Sequence, residues 1–406
     1  MDSTTFLIIL VIVIVVIIVI LLMRPKKKKT YVEYSREEVG VAKNLEPKMI
    51  PHFKLAEKKN IIRSFGPNAV IPGYVPTKIR NAYGLNNISY DGSGQTIAIV
   101  DAFHNPTIID DFKAFDAQFN IGSPDKLIVQ SFTQKTNEGW ALEAALDVQW
   151  AHAIAPKATI LLVEAASDSL KDLLNAVKYA VTQGASVVSM SWGSSEFLGQ
   201  SNYNANFKGN NVLFLASSGD TGGLVNWPSV SPNVLACGGT TLNLAGNGQY
   251  VSEAGWSGSG GGKSRYEILP AWQKSFGLNG KRQTPDISML ADPNTGVPVY
   301  NTFAVNGTTG WFQVGGTSLS CPMLAGVFAI ANQIRQQNGK SNLSNSSIPN
   351  YIYNTLGKSS NNFNDITLGR AGTFTCKSGY DNVTGLGSPL NKPGNVGFVF
   401  DLINAP

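Results

Sequence analysis

Two kinds of apolar run follow one another along this chain. Residues 95–102, 126–132, 158–165, 185–192 and 211–218 are short and nearly continuous in apolar character, as strands buried on both faces are. Between them, residues 108–119, 138–154 and 170–182 carry the longer spacing of helices. Strand and helix alternate, which predicts an α/β fold: a mostly parallel sheet flanked by helices, with ligands bound beyond the carboxyl ends of the strands. After residue 233 the pattern turns irregular and rich in the chain's 41 glycines, and residues 258–262 read as a flexible loop. No internal repeat and no second hydrophobic domain is visible.

One further run has a different character. Residues 6–23 are eighteen unbroken apolar positions, close to the length that spans a bilayer's hydrocarbon as a helix. A secretory signal would need a basic start and a small-residue cleavage site. Instead, Met1 to Thr5 form a short uncharged-to-acidic tail, and Arg24-Pro25-Lys26 follows the run. The expectation is a retained single transmembrane helix over 6–23. Residues 24–70 then read as a polar, basic juxtamembrane linker with one helix near 52–62, and residues 71–406 as the folded domain.

Charge supports this division. The net charge is +5, but residues 24–63 contain twelve Lys or Arg against five Asp or Glu. The remainder is slightly acidic, so the basic balance belongs to the segment beside the expected membrane. Lys26 to Lys29 suit anionic headgroups; nucleic acid is the alternative for such a run, but no aromatic or Gly-rich pattern accompanies it. By the positive-inside rule this flank would face the cytoplasm, whereas sequons at Asn87, Asn306, Asn342 and Asn345 suit a lumen. Cys237, Cys321 and Cys376 are too few and too far apart for a disulfide framework or a metal motif, and read as small buried thiols.

The candidate chemistry gathers at Gly315-Gly316-Thr317-Ser318-Leu319-Ser320-Cys321-Pro322. An apolar run, 311–314, precedes it and a buried helical run, 323–331, follows. A serine in the first turn of a helix lies where free N–H groups and the dipole favour a developing anion. A core-helix cap has the same local appearance, so the partners decide. A serine nucleophile ordinarily needs an imidazole base, and the chain has three histidines. His52 falls in the linker. His104 follows a strand three residues after Asp101, and His152 lies on a helix across from Glu143. That helix instead carries Glu143 and Asp147, one turn apart and on one face, with no Lys or Arg between residues 138 and 155 to solvate them. Two such carboxyls resist ionisation together and share a proton, which makes Glu143 a candidate base. Asp220, after the strand ending near Ser218, stands at the same sheet edge. Protonated, it could donate to an oxyanion; by itself it could equally close an Asx-turn.

Taken together in this order, Glu143-x-x-x-Asp147, Ser218-Gly219-Asp220 and Gly315-Gly316-Thr317-Ser318-x-x-x-Pro322 resemble the sedolisin, or serine-carboxyl peptidase, family over residues 71–402. The resemblance implies a subtilisin-like fold with Ser318 as nucleophile, Glu143 as base, Asp147 orienting Glu143, and Asp220 as the protonated oxyanion-hole acid. It implies peptide-bond hydrolysis through an acyl-enzyme at acidic pH, by an endopeptidase or a tripeptidyl-peptidase. Ser191, Trp192 and Gly193 resemble the strand that pairs with substrate backbone. Residues 365–387 resemble the family's calcium loop, which implies Asp365 and Asp381 as side-chain ligands and Ile366, Lys377 and Gly379 as carbonyl ligands of one structural ion; Lys377 stands where glycine is common. Two carboxylates among glycine-flanked turn carbonyls suit a hard cation. The expected partners are peptide or protein substrates and the membrane, with no nucleic acid. Residues 24–70 are too short for the large prosegment of related enzymes. Two rivals remain: a catalytically silent relative acting as a surface or binding protein, and a neutral protease whose base is His104.

Overall fold

The structure, a computed structural model, describes residues 47–56, 71–123 and 125–406. The expected transmembrane span 6–23 and the lysine run 26–29 lie outside the described residues. Eight strands make the central sheet: β1 (Thr96–Ala102), β2 (Leu127–Ser131), β3 (Thr159–Ala165), β4 (Val187–Met190), β5 (Leu213–Ser217), β6 (Leu235–Leu244), β7 (Tyr250–Gly255) and β8 (Ile287–Leu290). Their spatial order is β7-β6-β5-β4-β1-β3-β2, with β8 paired to β6. All neighbours are parallel except β6 and β7.

The continuous apolar runs are explained by cover on both faces. In β1, Ile97 and Ile99 enter the larger core with helices α1 (Ile108–Phe119) and α2 (Glu138–Ile154), while Ala98, Val100 and Ala102 enter the opposite core with α3 (Leu170–Thr182). Strand residues alternate faces, so Asp101 shares the face of Ile97 and Ile99 and looks toward α2. Asn137 caps α2 by accepting from Trp140 N, and Ser169 caps α3 by accepting from Asp172 N, as short polar side chains do at helix starts. The three helices have the bounds their spacing predicts.

A fourth helix, α4 (Thr317–Gln337), runs through the larger core and is buried from Thr317 to Arg335. Among the described residues it is the helix long and apolar enough to cross a membrane, and its apolar window is wholly buried inside the fold.

Three expectations need correction. The stretch after residue 233 is not irregular: Leu235–Leu244, Tyr250–Gly255, Ile287–Leu290, Val297–Val305 and Thr308–Gly315 are strands. Nor is 258–262 a loose loop. Residues 259–262 are buried, Gly260 N donates to Gly219 O at 2.7 Å, and Ser259 Oγ donates to Val383 O at 2.7 Å. Glycine here brings two backbones together rather than loosening one. Third, the expected helix near 52–62 does not begin at His52. Ile50–Pro51 and Lys54–Leu55 are short strands, and 57–62 lie outside the described residues. Residues 47–56, read as linker, are part of the folded body that extends from Glu46 to Pro406.

Candidate active site

The carboxyl edge of the sheet collects the expected groups from separate elements. Ser318 is the second residue of α4, which starts at Thr317 directly after Gly316; the φ of Gly316, +105°, lies in a region that side chains strain to adopt. Gly316 also marks a crowded point: a Cβ there would stand 2.3 Å from His52 O and 2.6 Å from Asp220 Oδ2. Ser318 Oγ donates to Ser191 O at 3.2 Å. Asp220 is fixed through one oxygen, since Thr317 N and Thr317 Oγ1 both donate to Oδ1, at 2.8 and 2.9 Å. Although Asp220 as a residue is partly exposed, its Oδ2 is buried and has no hydrogen-bond partner.

Glu143 and Asp147 are fully buried on α2, and Asp101 is fully buried on β1. No oxygen of these three carboxyls has a hydrogen-bond partner of ordinary geometry. Ser318 and Asp147 nevertheless approach Glu143, and Ser191 approaches Asp147, closely enough to pull those pKa values down through hydrogen bonding. Burial wins over that pull. It pushes Glu143 and Asp147 well above the carboxylate range, helped by repulsion from Asp101 and, for Asp147, from Glu143. Asp101 is raised to about 8 by burial and then by the charge of Glu164. Asp220 is raised to about 7 by burial, against the opposing effect of its Thr317 hydrogen bonds and of Lys54. Desolvation disfavours the ionised form, and a cluster of buried acids cannot all be charged.

The histidines are engaged elsewhere. His104 Nδ1 meets Glu164 Oε2 at 2.7 Å. His152 Nε2 meets Asp116 Oδ1 at 2.8 Å and the ring packs on Phe112. His52 Nδ1 meets Ser217 Oγ at 2.8 Å.

Residues 48–56 lie along this edge in extended form. Lys48 forms a bridge with Ser169, and Met49 N donates to Asp168 O at 2.9 Å. Ile50 and Pro51 pair antiparallel with Gly193 and Trp192. His52 N donates to Ser191 O at 3.1 Å, and Ser318 N donates to His52 O at 3.0 Å. Lys54 and Leu55 pair antiparallel with Gly315 and Val314. Ser191, Trp192 and Gly193 therefore do hold a peptide backbone. Trp192 acts through its main chain, because its Nε1 donates to Val100 O inside the fold. Two participants were missed from the sequence. Asp101 could have been found from strand parity, and the 49–53 segment from being an apolar patch in a basic run.

In the C-terminal loop, Asp365 and Asp381 accept hydrogen bonds from N–H and hydroxyl groups of residues 377–384. Gly379 N and Ser378 Oγ donate to Asp365 at 3.1 and 3.0 Å. Val383 N and Thr384 N donate to Asp381 Oδ1 at 2.8 Å, while Asp381 Oδ2 has longer contacts of 3.3 Å from Lys377 N and Thr384 Oγ1. Among the described residues no group of three or more His, Cys, Asp or Glu side chains could hold a metal ion. A cation here would rest on two carboxylates and backbone carbonyls, a hard all-oxygen set that fits calcium rather than a transition metal. The three cysteines are free and buried.

Comparison with known proteins adds three observations. Residues 134–375 match the model of the subtilase family, Peptidase_S8. Kumamolisin of Bacillus sp. (strain MN-32) is 30% identical over 385 residues, covering 84% of this chain and 66% of that protein. Sedolisin of Pseudomonas sp. (strain 101) is 34% identical over 179 residues, covering 40% of this chain and 28% of that protein. The chain thus spans less than two thirds of the length of these relatives. Among solved structures, Pseudomonas sedolisin complexed with two molecules of pseudo-iodotyrostatin superposes with a TM-score of 0.66 at 25% identity, covering 79% of this chain and 96% of that one.

Proposed function

The chain belongs to the subtilase family as a sedolisin-type, subtilisin-like member, and from that premise we propose that it is a membrane-anchored serine-carboxyl peptidase that hydrolyses peptide bonds in acid. One observation carries this reading: the Ser318 hydroxyl lies among buried carboxyl groups, while all three imidazoles are bonded to other partners. Glu143 removes the hydroxyl proton as Ser318 Oγ adds to the substrate carbonyl, then passes it to the leaving amine. Asp101 keeps Glu143 basic enough to do so, since a neighbouring negative charge raises a carboxyl pKa, while Asp147, one turn along the same helix, orients Glu143. The oxyanion is held by Ser318 N–H and by Asp220, whose Oδ1 is committed to Thr317 and whose Oδ2 carries the donating proton. Water on the Glu143 side then releases the acyl group.

The run 6–23 anchors the enzyme in a membrane, and the 365–387 loop binds one calcium ion through Asp365, Asp381 and the carbonyls of Ile366, Lys377 and Gly379. Such an ion would cross-link the loop and take no part in the chemistry. The test is hydrolysis of a mixed peptide library between about pH 3 and 7, the range in which carboxyl groups work as bases, by the native chain and by Ser318→Ala. Serine-dependent cleavage that is strongest in acid is expected. No serine-dependent cleavage at any pH would establish the silent alternative. Detergent extraction and glycosidase sensitivity of the expressed chain test the anchor and its orientation.

A further inference from the structure

We infer that Gln149 is a positioning residue of the serine–acid pair: it locks helix α2, which carries Glu143 and Asp147, to the hairpin that runs into Ser318. This rests on the reading of Ser318 and Glu143 as nucleophile and base; the lock itself rests on separate geometry. Gln149 lies two residues beyond Asp147, and at roughly 100° per residue it points to a different side of the helix from both acids. It is fully buried. A glutamine amide in such a place needs partners for its N–H and C=O groups. It finds them in one residue: Nε2 donates to Tyr300 O at 2.7 Å, and Tyr300 N donates to Oε1 at 2.9 Å.

Tyr300 belongs to β9 (Val297–Val305), which forms an antiparallel hairpin with β10 (Thr308–Gly315). In such a pair every second residue turns its N–H and C=O away from the partner strand. In β9 these are Pro298, Tyr300 and Thr302, and among the described residues no strand lies beyond them. Side chains from two helices stand where the next strand would be. Trp150 Nε1 donates to Pro298 O at 3.0 Å, Gln149 takes both groups of Tyr300, and Asp111 of α1 accepts from Thr302 N at 3.0 Å. Tyr300 pairs with Trp311, and from there β10 runs through Gly315 and Gly316 directly into α4 and Ser318.

Helices α2 and α4 also touch, since a Cβ on Gly326 would stand 2.7 Å from Ile154 Cβ. Apolar contact of that kind sets the spacing between helices but is non-directional. The Gln149 bonds are directional, so they fix where α2 stops along its axis and how it is turned. Reacting groups are sensitive to such placement: a shift of about 1 Å can cost 10²-fold in rate. The chain contains a matched control. Gln273 is also fully buried and makes the same reciprocal pair, donating to Gln283 O at 2.7 Å and accepting from Gln283 N at 2.9 Å. It sits on a short helix, Ala271–Phe276, that carries none of the reacting groups.

The test measures kcat and KM against pH on a fluorogenic peptide for the native chain, Gln149→Met, Gln149→Glu and Gln273→Met, each well below its own melting temperature. Methionine keeps the length and removes the bonds. In Gln149→Met kcat is expected to fall about tenfold to 10²-fold, with KM within about threefold of native, as for a loss felt in the transition state. The acid limb of kcat/KM is expected to move to higher pH, because the Ser318 hydrogen bond that pulls Glu143 down is loosened. Gln273→Met is expected to keep the native kcat and limb. A neutral glutamic acid can donate to Tyr300 O and accept from Tyr300 N as the amide does, whereas its carboxylate only accepts. Gln149→Glu should therefore stay near native in acid and lose rate relative to the native chain as pH rises. A kcat within about twofold of native in Gln149→Met, or an equal loss in Gln273→Met, overturns the inference and leaves the peptidase reading standing. Should Gln149→Met fail to fold, a ratio of Gln149→Glu to native rate that stays constant with pH does the same. No serine-dependent cleavage by the native chain at any pH overturns the peptidase reading itself, on which this one rests.

Discussion

Replacing Asp220 isolates the oxyanion half of the site from the base. Its carboxyl is asymmetric: Oδ1 accepts two hydrogen bonds from Thr317, and Oδ2 is buried with none. The proton therefore belongs on Oδ2, facing the carbonyl position beside Gly316. Asp220→Ala removes that donor, and loss of one oxyanion-hole donor costs about 3–4 kcal/mol, or roughly 10²–10³ in kcat. With a pKa raised to about 7, native Asp220 loses its proton as pH rises through that value. The ionised form would repel the oxyanion, and kcat should then fall about tenfold per pH unit. Asp220→Asn keeps a neutral donor that cannot ionise, so its kcat should be reduced at acid pH but lack this alkaline limb. The same shift acts on stability. Between about 4 and 7 the unfolded chain ionises at this position while the folded one stays protonated, so stability falls as pH rises across that window, by roughly 4 kcal/mol for three pH units. The assay is kcat against pH on a fluorogenic peptide, for the native chain, Asn and Ala, with thermal melts alongside. Less than a tenfold loss in Asp220→Ala, or an alkaline limb unchanged in Asp220→Asn, would refute the assignment.

Three other outcomes are expected. Glu143→Gln should lower kcat by about 10²–10⁴, the range for a lost general base, while His104→Ala leaves the rate near native; the reverse pattern in a rate comparison would move the base to His104. Removing divalent cations with a chelator should lower the melting temperature, calcium should restore it, and Asp381→Ala should abolish the calcium response in the same melt. Arg282→Ala should destabilise the fold by about 3–5 kcal/mol in urea titration, because Asp286 would be left buried without its cation; Arg282 now donates to both Asp286 oxygens at 2.7 and 2.6 Å.

Much of the framework is legible in the sequence because it depends on local periodicity. The three helices follow from apolar spacing, and the two-faced strands from unbroken apolar runs. Glu143 and Asp147 share a helix face by arithmetic alone. Ser318 and Asp220 are marked by glycine turns at strand ends. The glycine-rich second half is less legible: its strands pair in three dimensions with partners that no local pattern names, as β6 does with β5, β7 and β8 at once.

Tertiary structure alone decided what surrounds those residues. Asp101 joins the acid cluster only because β1 lies under α2, and its long-range burial raises the pKa values that composition cannot reveal. Residues 48–55 carry no periodicity, since a backbone held by another strand needs no pattern of its own. Their sequence supplies His52 and its apolar flanks. Their position across Ser318 comes from the hydrogen bonds of Ser191, Gly193 and Gly315, which only the assembled sheet brings into line.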